Sequence, residues 1–276
     1  ARFNKSGRQM APIQPQPLSA RQGAAVLLYC LVPIGLGFLI PLIVLVAPVL
    51  SDLNLWNDPD LWRAAGHSLA LGGVSAGLVV MLATVMVLGV QKTAGAWKKS
   101  LLTLTTLGYA FPGAVLGLGI LIPLAAFDNW LADLVLASLR RDPGLLLTGS
   151  AGALIVAYCV RFFAIGVGAA EAGLAAISTN IPLAASTLGR GPKDVMINIY
   201  QPLMRGSLAS AMVLVFVDTV KELPATLLLR PFNFDTLSTH VYGQASLENF
   251  HGSTPAALLI ITLSLGAIFL LAKAHR

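Results

Sequence analysis

The sequence contains little charge. Only 11% of its 276 residues are Asp, Glu, Lys or Arg, whereas 56% are hydrophobic and the mean hydropathy is +0.79. A typical soluble domain carries about 25% charged residues. A chain of this composition cannot cover a large water-facing surface, so a soluble fold is excluded and lipid is the expected solvent.

Several functional signatures are also missing. Cys30 and Cys159 are the only cysteines, and both stand in apolar runs without a spacing partner, which excludes a zinc site or a disulfide framework. No GxxxxGK[ST] phosphate-binding pattern occurs, so any ATP has to be bound by another polypeptide. No catalytic constellation or metal site is predicted, and the chain is expected not to be an enzyme.

What the sequence does contain is long apolar runs. A bilayer core of about 30 Å needs about 20 apolar residues per helix, and the runs are continuous rather than alternating as in a membrane barrel. They predict an all-α polytopic membrane protein with six transmembrane helices. The runs are Ala24–Leu50, Ser68–Val90, Ser100–Phe127, Gly144–Ala170, Gly206–Val217 with its continuation through Glu222, and Gly252–Ala272.

The distribution of basic residues predicts the orientation. With the N-terminus inside, the cytoplasmic segments hold twelve Lys and Arg and the external loops four, as the positive-inside rule requires. Both termini are therefore expected in the cytoplasm, and the basic pI of about 9.6 does not indicate nucleic acid. The cytoplasmic set is Arg2, Lys5, Arg8, Arg21, Lys92, Lys98, Lys99, Arg190, Lys193, Arg205, Lys273 and Arg276; the external set is Arg63, Arg140, Arg141 and Arg230.

Residues 1–23 are predicted to form a cytoplasmic segment that precedes a transmembrane domain over residues 24–276. The proline-rich stretch from Ala11 to Pro17 is typical of a stiff linker. Two explanations remain: this is the C-terminal half of a fused protein, which we favour, or the N-terminus was processed. The external loops are predicted at Ser51–His67, Asp128–Pro143 and about Leu223–Pro255, with His240 and His251 outside.

The stretch from Pro182 to Leu208 is a polar interruption between apolar runs. Pro182 is expected to end the preceding helix, and Gly189 to end a short helix that starts at Ala184. Pro192 suits the first position of a second helix, and Pro202 is expected to break it. The predicted product is a helix–turn–helix on the cytoplasmic surface.

Charges at membrane depth are functional candidates by default. Arg161, Asp218, Lys221 and Glu222 lie within or beside apolar runs. The depths of Arg161 and Asp218 are similar, so we expect these two to pair. Either the charges hold helices in register or they line and gate a path. Gly113 and Gly117, four residues apart, predict close helix packing.

The 182–208 loop resembles the coupling loop of bacterial ABC importer permeases. The resemblance is carried by Ala184, Ala185, Leu188, Gly189, Pro202 and Leu203, with Arg190 beside them; Leu183 replaces the family's usual glutamate. The stretch from Val217 to Phe232, and Tyr109 to Gly117, resemble the ferric-iron members. The similarity extends over about residues 25–272.

The resemblance implies a type I ABC importer permease fold in the bacterial inner membrane. It implies a cytoplasmic ABC ATPase dimer that binds ATP, a periplasmic substrate-binding protein and a second permease half, with no cofactor bound by this chain. Ferric iron is the first-choice substrate; thiamine, a polyamine or an oxyanion are alternatives. An ion-gradient-driven secondary transporter is the alternative of another class.

Overall fold

The computed structural model describes residues 18–90, 96–140, 144–178 and 180–274, and everything described is helix, turn or irregular. The proline-rich stretch and most of the predicted N-terminal segment lie outside these residues. The helices are α1 Ala20–Ile34, α2 Ile40–Ser51, α3 Pro59–Val90, α4 Ala96–Ala110, α5 Gly113–Leu139, α6 Ala151–Ala175, α7 Asn180–Thr187, α8 Pro192–Val195, α9 Gln201–Val220, α10 Pro224–Leu229, α11 Leu237–Ser246 and α12 Phe250–Ala274.

Within the part of the chain that the structure describes, six stretches are long and apolar enough to cross a membrane, which confirms the predicted number. They are Ala20–Ser51, Pro59–Val90, Gly113–Ser138, Ala151–Ala175, Pro192–Val220 and Phe250–Lys273. The predicted third run differs most, because Phe111 and Pro112 divide it into α4 and α5. A proline disfavours the helical conformation of the residue before it, which explains the break.

Among the described residues, those up to Ala47 form one compact unit and those from Pro48 onward form another. In the first unit, α1 begins four residues before the predicted boundary because Ser19 and Gln22 form a capping box. The helix passes through a π turn at Gly35–Leu39 and continues as α2.

The second unit is built around α3, α6 and α9, which pack against one another. Their contact is close because small residues stand where the helices meet. A Cβ added at Gly166 in α6 would lie 2.9 Å from the Ala83 Cβ in α3, and one at Gly173 would lie 3.1 Å from the Ser207 Cβ in α9. These three helices form the scaffold that positions the candidate functional residues.

The segment between α9 and α12, which we predicted as a loop, contains two short helices. Its short helices pack inward: α10 against α5 and α6, and α11 against α3 and α12. His240, expected outside, is buried in α11, with Nε2 3.8 Å from Oδ2 of Asp58. The sequence was misleading here because its polar residues find partners inside the protein rather than in water.

Candidate functional site

Between α6 and α9, the short helices α7 and α8 form a hairpin, and its turn lies at Gly189, as predicted. Gly189 has φ of +78°, and its N–H donates to the Ser186 carbonyl while Arg190 N–H donates to that of Ala185. This pair of bonds is a Schellman motif, which ends a helix at a residue in the left-handed region. Gly191 then caps α8, and Pro192 is its first residue, as predicted.

The boundaries of the first hairpin helix differ from expectation. It begins at Asn180, so Pro182 lies in its first turn rather than at the end of the preceding helix. A first-turn proline is tolerated because its missing N–H has no intrahelical acceptor there. The preceding helix, α6, already ends at Ala175.

Most of the predicted coupling residues are presented to the surroundings. Ala185 is buried, whereas the other six are exposed, and the Leu188 side chain is 82% exposed at the tip of the hairpin. The exposed members are Ala184, Leu188, Gly189, Arg190, Pro202 and Leu203. Arg190 is held by Asp194, with Nη1 2.7 Å from Oδ2.

Beneath the hairpin lies a cavity of about 360 Å³, bounded in part by Pro182, Met196 and Tyr200. The hairpin therefore has an exposed apolar residue, Leu188, at its tip and a cavity at its base.

Pro202 does not break the second helix, contrary to our prediction. The chain remains helical from Pro192 to Val220, with a π turn at Met196–Tyr200 directly before Gln201. The Gln201 N–H donates to the Met196 carbonyl, five residues back. The wider turn makes room for the pyrrolidine ring, which in a regular α-helix would collide with the carbonyl four residues before it.

The predicted pair between Arg161 and Asp218 is wrong. Arg161 Nε lies 3.0 Å from Glu222 Oε2, in a charge–charge contact without hydrogen-bond geometry, and its Nη1 donates to the Phe111 carbonyl at 3.2 Å. Asp218 instead pairs with Lys221, at 2.7 Å. Similar depth did not predict the correct pair, because α9 ends at Val220. The chain then turns Glu222 toward α6 and leaves Asp218 on the helix surface.

Glu222 is the centre of a buried polar network. Its Oε1 accepts from Ala225 N–H at 3.1 Å and so satisfies the first turn of α10. Its carbonyl accepts from the hydroxyls of Thr226 and Ser238, each at 2.7 Å. Tyr158 and Thr226 exchange a further hydroxyl hydrogen bond of 2.7 Å. Residues of the three helices α6, α10 and α11 are thereby joined through Glu222.

The glycine pair in α5 fits this arrangement. A Cβ at Gly117 would lie 3.3 Å from the Ala225 Cα, and one at Gly113 would lie 2.6 Å from Glu222 Oε1. The predicted close packing is confirmed, and its partner is α10.

Sequence reasoning missed Asp128, which it assigned to an external loop. Asp128 lies in α5, is fully buried, and accepts backbone N–H bonds from Leu146, Leu147 and Thr148 at 2.7–2.9 Å. It thereby fixes the loop before α6. Its position directly after the apolar run was the only available signal. Among the described residues no three His, Cys, Asp or Glu side chains cluster as a metal ion requires.

This architecture is shared with chains of solved bacterial ABC transporters. The chain superposes on a chain of a bacterial ABC transporter involved in the import of alginate with a TM-score of 0.70 at 15% identity, covering 91% of this chain and 93% of that one. It also superposes on a chain of the MetNI methionine ABC transporter with a TM-score of 0.53 at 14% identity, covering 78% and 96%. The six long apolar stretches make this a multi-pass membrane protein.

The sequence comparison is more specific. The chain is 26% identical to the Fe(3+)-transport system permease protein FbpB 2 of Haemophilus influenzae over 237 residues, which is 85% of this chain and 44% of that protein. It is 28% identical over 181 residues to the putative ferric transport system permease protein FbpB 1 of the same organism, covering 66% and 25%. No family model matches. The resemblance to ferric permeases is confirmed, and the chain spans less than half the length of these relatives.

Proposed function

We propose that this chain is the transmembrane permease subunit of an ATP-driven importer of ferric iron. It is a transport subunit and not an enzyme: a separate cytoplasmic ATPase dimer binds and hydrolyses ATP. The observation that carries the proposal is the exposed hairpin between α6 and α9 within an ABC importer permease fold. Such a hairpin is a docking surface whose movement is transmitted through the helices on either side.

Force from the ATPase enters through the exposed hairpin residues, with Leu188 and Gly189 at the tip. The helix from Pro192 to Val220 is uninterrupted, and its 29 residues correspond to about 43 Å at helical rise. At its far end stands Glu222, paired with Arg161. Displacement of the hairpin therefore acts directly on this polar network.

Four charged residues are our candidates for the path or its gate. Arg161 and Glu222 hold the closed arrangement, because their carboxylate–guanidinium contact links α6 to the end of α9. Asp218 and Lys221 form a second pair and line the path, with Lys221 the most exposed of the four at 56%. Lys221 beside the carboxylates favours transit over stable metal binding at this point.

Ferric iron is favoured by the two relatives, both of which are described as ferric permeases. The stretch from Lys221 to Phe232, which resembles the ferric-iron members, lies at the network just described. Thiamine, a polyamine or an oxyanion are the substrates to be compared with it. Delivery is assigned to a periplasmic substrate-binding protein.

The remaining assignments concern topology. Residues 24–276 form the permease domain, with the coupling loop at 182–208 and both termini in the cytoplasm. The orientation rests on the excess of Lys and Arg in segments on that side. A second permease half completes the path, and the length of the relatives leaves room for it within one polypeptide.

The test is uptake of radioactive ferric iron into proteoliposomes that contain the permease, its ATPase and its binding protein. Uptake that requires ATP and is not competed by thiamine, polyamine or sulfate is the expected result. Uptake driven by a proton gradient without the ATPase would instead establish a secondary transporter.

A variant pair tests the hairpin. Gly189→Glu should leave ATP hydrolysis active but reduce uptake per ATP by about 5- to 150-fold, the range of typical coupling free energies. Gly149→Glu is the matched control, because Gly149 lies outside the hairpin, has a similar positive φ of +72°, and an added Cβ meets nothing within 4 Å at either glycine. Equal uptake in the two variants would refute the coupling role of Gly189.

A further inference from the structure

The stretch from Lys221 to Thr236 enters the protein instead of passing over its surface; we name it the re-entrant segment. It is anchored deep at both ends. Glu222 pairs with Arg161, ten residues or about 15 Å into α6. The Asp235 carbonyl lies 2.9 Å from Nδ1 of His67, eight residues or about 12 Å into α3. The segment therefore lies within the outer half of the membrane-spanning region.

Only α10 is helical within this segment, and residues 230–236 are not. Non-helical backbone at membrane depth is tolerated where protein buries it or where it borders a water-filled cavity, because lipid cannot satisfy its N–H and C=O groups. One side of the segment is buried through Ala225, Thr226 and Leu229, whereas Lys221 and Asn233 are exposed. The exposed side consequently does not face lipid.

Phe232 stands at the centre of that exposed side, and its side chain is fully exposed. The turn that carries it is held rigidly. Arg230 and Asp235 form an ion pair across the turn, and Asn233 adopts φ of +58°. Phe234 stacks on His67 with ring centroids 3.9 Å apart and planes at 9°. The Phe232 ring is therefore presented from a fixed support.

We infer that Phe232 forms an apolar constriction in a water-filled path along the re-entrant segment. Hydrophobic constrictions gate by excluding water, and a single aromatic ring on a fixed turn is suited to this. The inference rests on the proposed transport function and identifies where its path is narrowest. The opposite wall is contributed by the second permease half, for which the longer relatives leave room. Movement of Glu222 at the end of α9 would shift the turn and widen the constriction.

The first experiment measures water access. In the full transporter complex, with Cys30 and Cys159 replaced by alanine, Phe232→Cys is exposed to a charged, membrane-impermeant thiol reagent. Phe269→Cys is the matched control, because Phe269 is 69% exposed on the uninterrupted helix α12. We expect Phe232→Cys to react at least about tenfold faster, since the thiolate is the reactive form and forms only in contact with water. Its rate should change when ATP is trapped on the ATPase.

Equal, slow reaction of the two cysteines with and without trapped ATP would overturn the inference, because Phe232 would then face lipid or a protein interior. This readout does not depend on transport. Failure of the wild-type complex to import iron with ATP would refute the proposed function separately.

The second experiment measures the constriction itself. Phe232→Ala should raise the ATP-independent leak of small ions through the complex by about tenfold or more, and Phe232→Trp should restore a low leak. Because the Phe232 ring is fully exposed, neither change removes packing within this chain. A leak unchanged in Phe232→Ala would contradict a constriction at this residue.

Discussion

Arg161 Nε lies 3.0 Å from Glu222 Oε2, and this contact joins two interruptions of the helical scaffold. The same guanidinium donates to the Phe111 carbonyl, where α4 gives way to α5. Glu222 in turn stands where α9 gives way to α10. A single arginine therefore links both breaks: it binds a backbone carbonyl at the first, which would otherwise be unpaired in an apolar environment, and the Glu222 carboxylate at the second.

Removal of Glu222 should be strongly destabilising. Glu222→Ala leaves the largely buried Arg161 charge without its partner, and breaking a buried pair in this way costs about 3 to 5 kcal/mol. Thermal unfolding of the purified protein in detergent measures the effect. Arg63→Gln is the control, because its pair with Asp60 is exposed on both sides, at 71% and 67%, and such pairs contribute about 1 kcal/mol or less. Similar losses in both variants would argue against a special role of Glu222.

The Gly113 position should not accept a side chain. A Cβ there would lie 2.6 Å from Glu222 Oε1 and 3.0 Å from Arg161 Nη1. Gly113→Ala is expected to displace the ion pair and to lose about 1 to 3 kcal/mol, as overpacking does. Gly119→Ala, on the same helix with nothing within 4 Å, should be neutral or stabilising by up to about 1 kcal/mol. The comparison is made by denaturant or thermal unfolding in detergent.

Asp128→Asn should loosen the loop before α6. Both carboxylate oxygens of Asp128 accept backbone N–H bonds, and asparagine offers an oxygen at one position only. We expect faster proteolysis around residues 144–150 and a lower Tm. Asp133→Asn serves as the control, because Asp133 is exposed on the same helix. An unchanged cleavage rate in Asp128→Asn would contradict the assigned role.

Tyr158→Phe should cost about 0.5 to 1.5 kcal/mol, the net value of a typical hydrogen bond. The loss is limited because the Thr226 hydroxyl keeps its bond to the Glu222 carbonyl. Tyr109→Phe, whose ring is 55% exposed, should be neutral in the same unfolding measurement. A cost above the stated range would indicate that the network is more cooperative than its separate bonds.

The sequence was sufficient for the parts of the fold that depend on local physics. The six spans follow from uninterrupted apolar runs, and the end of α7 follows from the freedom of Gly189 to adopt a positive φ. Pro192 opens α8 because its fixed φ and missing N–H suit a first helical position. None of these features requires knowledge of what lies nearby in space.

Most of the wrong predictions concern partners that are distant along the chain. Asp128 resembles a loop residue until residues 146–148 are seen around it, and Glu222, a candidate for the path, has no evident partner until Arg161 is placed beside it. Hydropathy treats every charge as solvated, so it assigned residues 223–255 to an external loop. The prediction for Pro202 was wrong for a different reason. A π turn at Met196–Tyr200 replaces one α-helical turn and makes room for the proline ring.

That change of helical type sets the angular register between the two ends of one long helix. A π turn holds one residue more than the α-helical turn it replaces, and each residue advances an α-helix by about 100°. Compared with a regular α-helix, the side chains before Met196 are therefore rotated by about 100° relative to those after Tyr200. Deleting one residue from the turn would keep the composition and length of the helix nearly unchanged, yet point the Leu188–Gly189 tip and the Glu222 end in directions that no longer match.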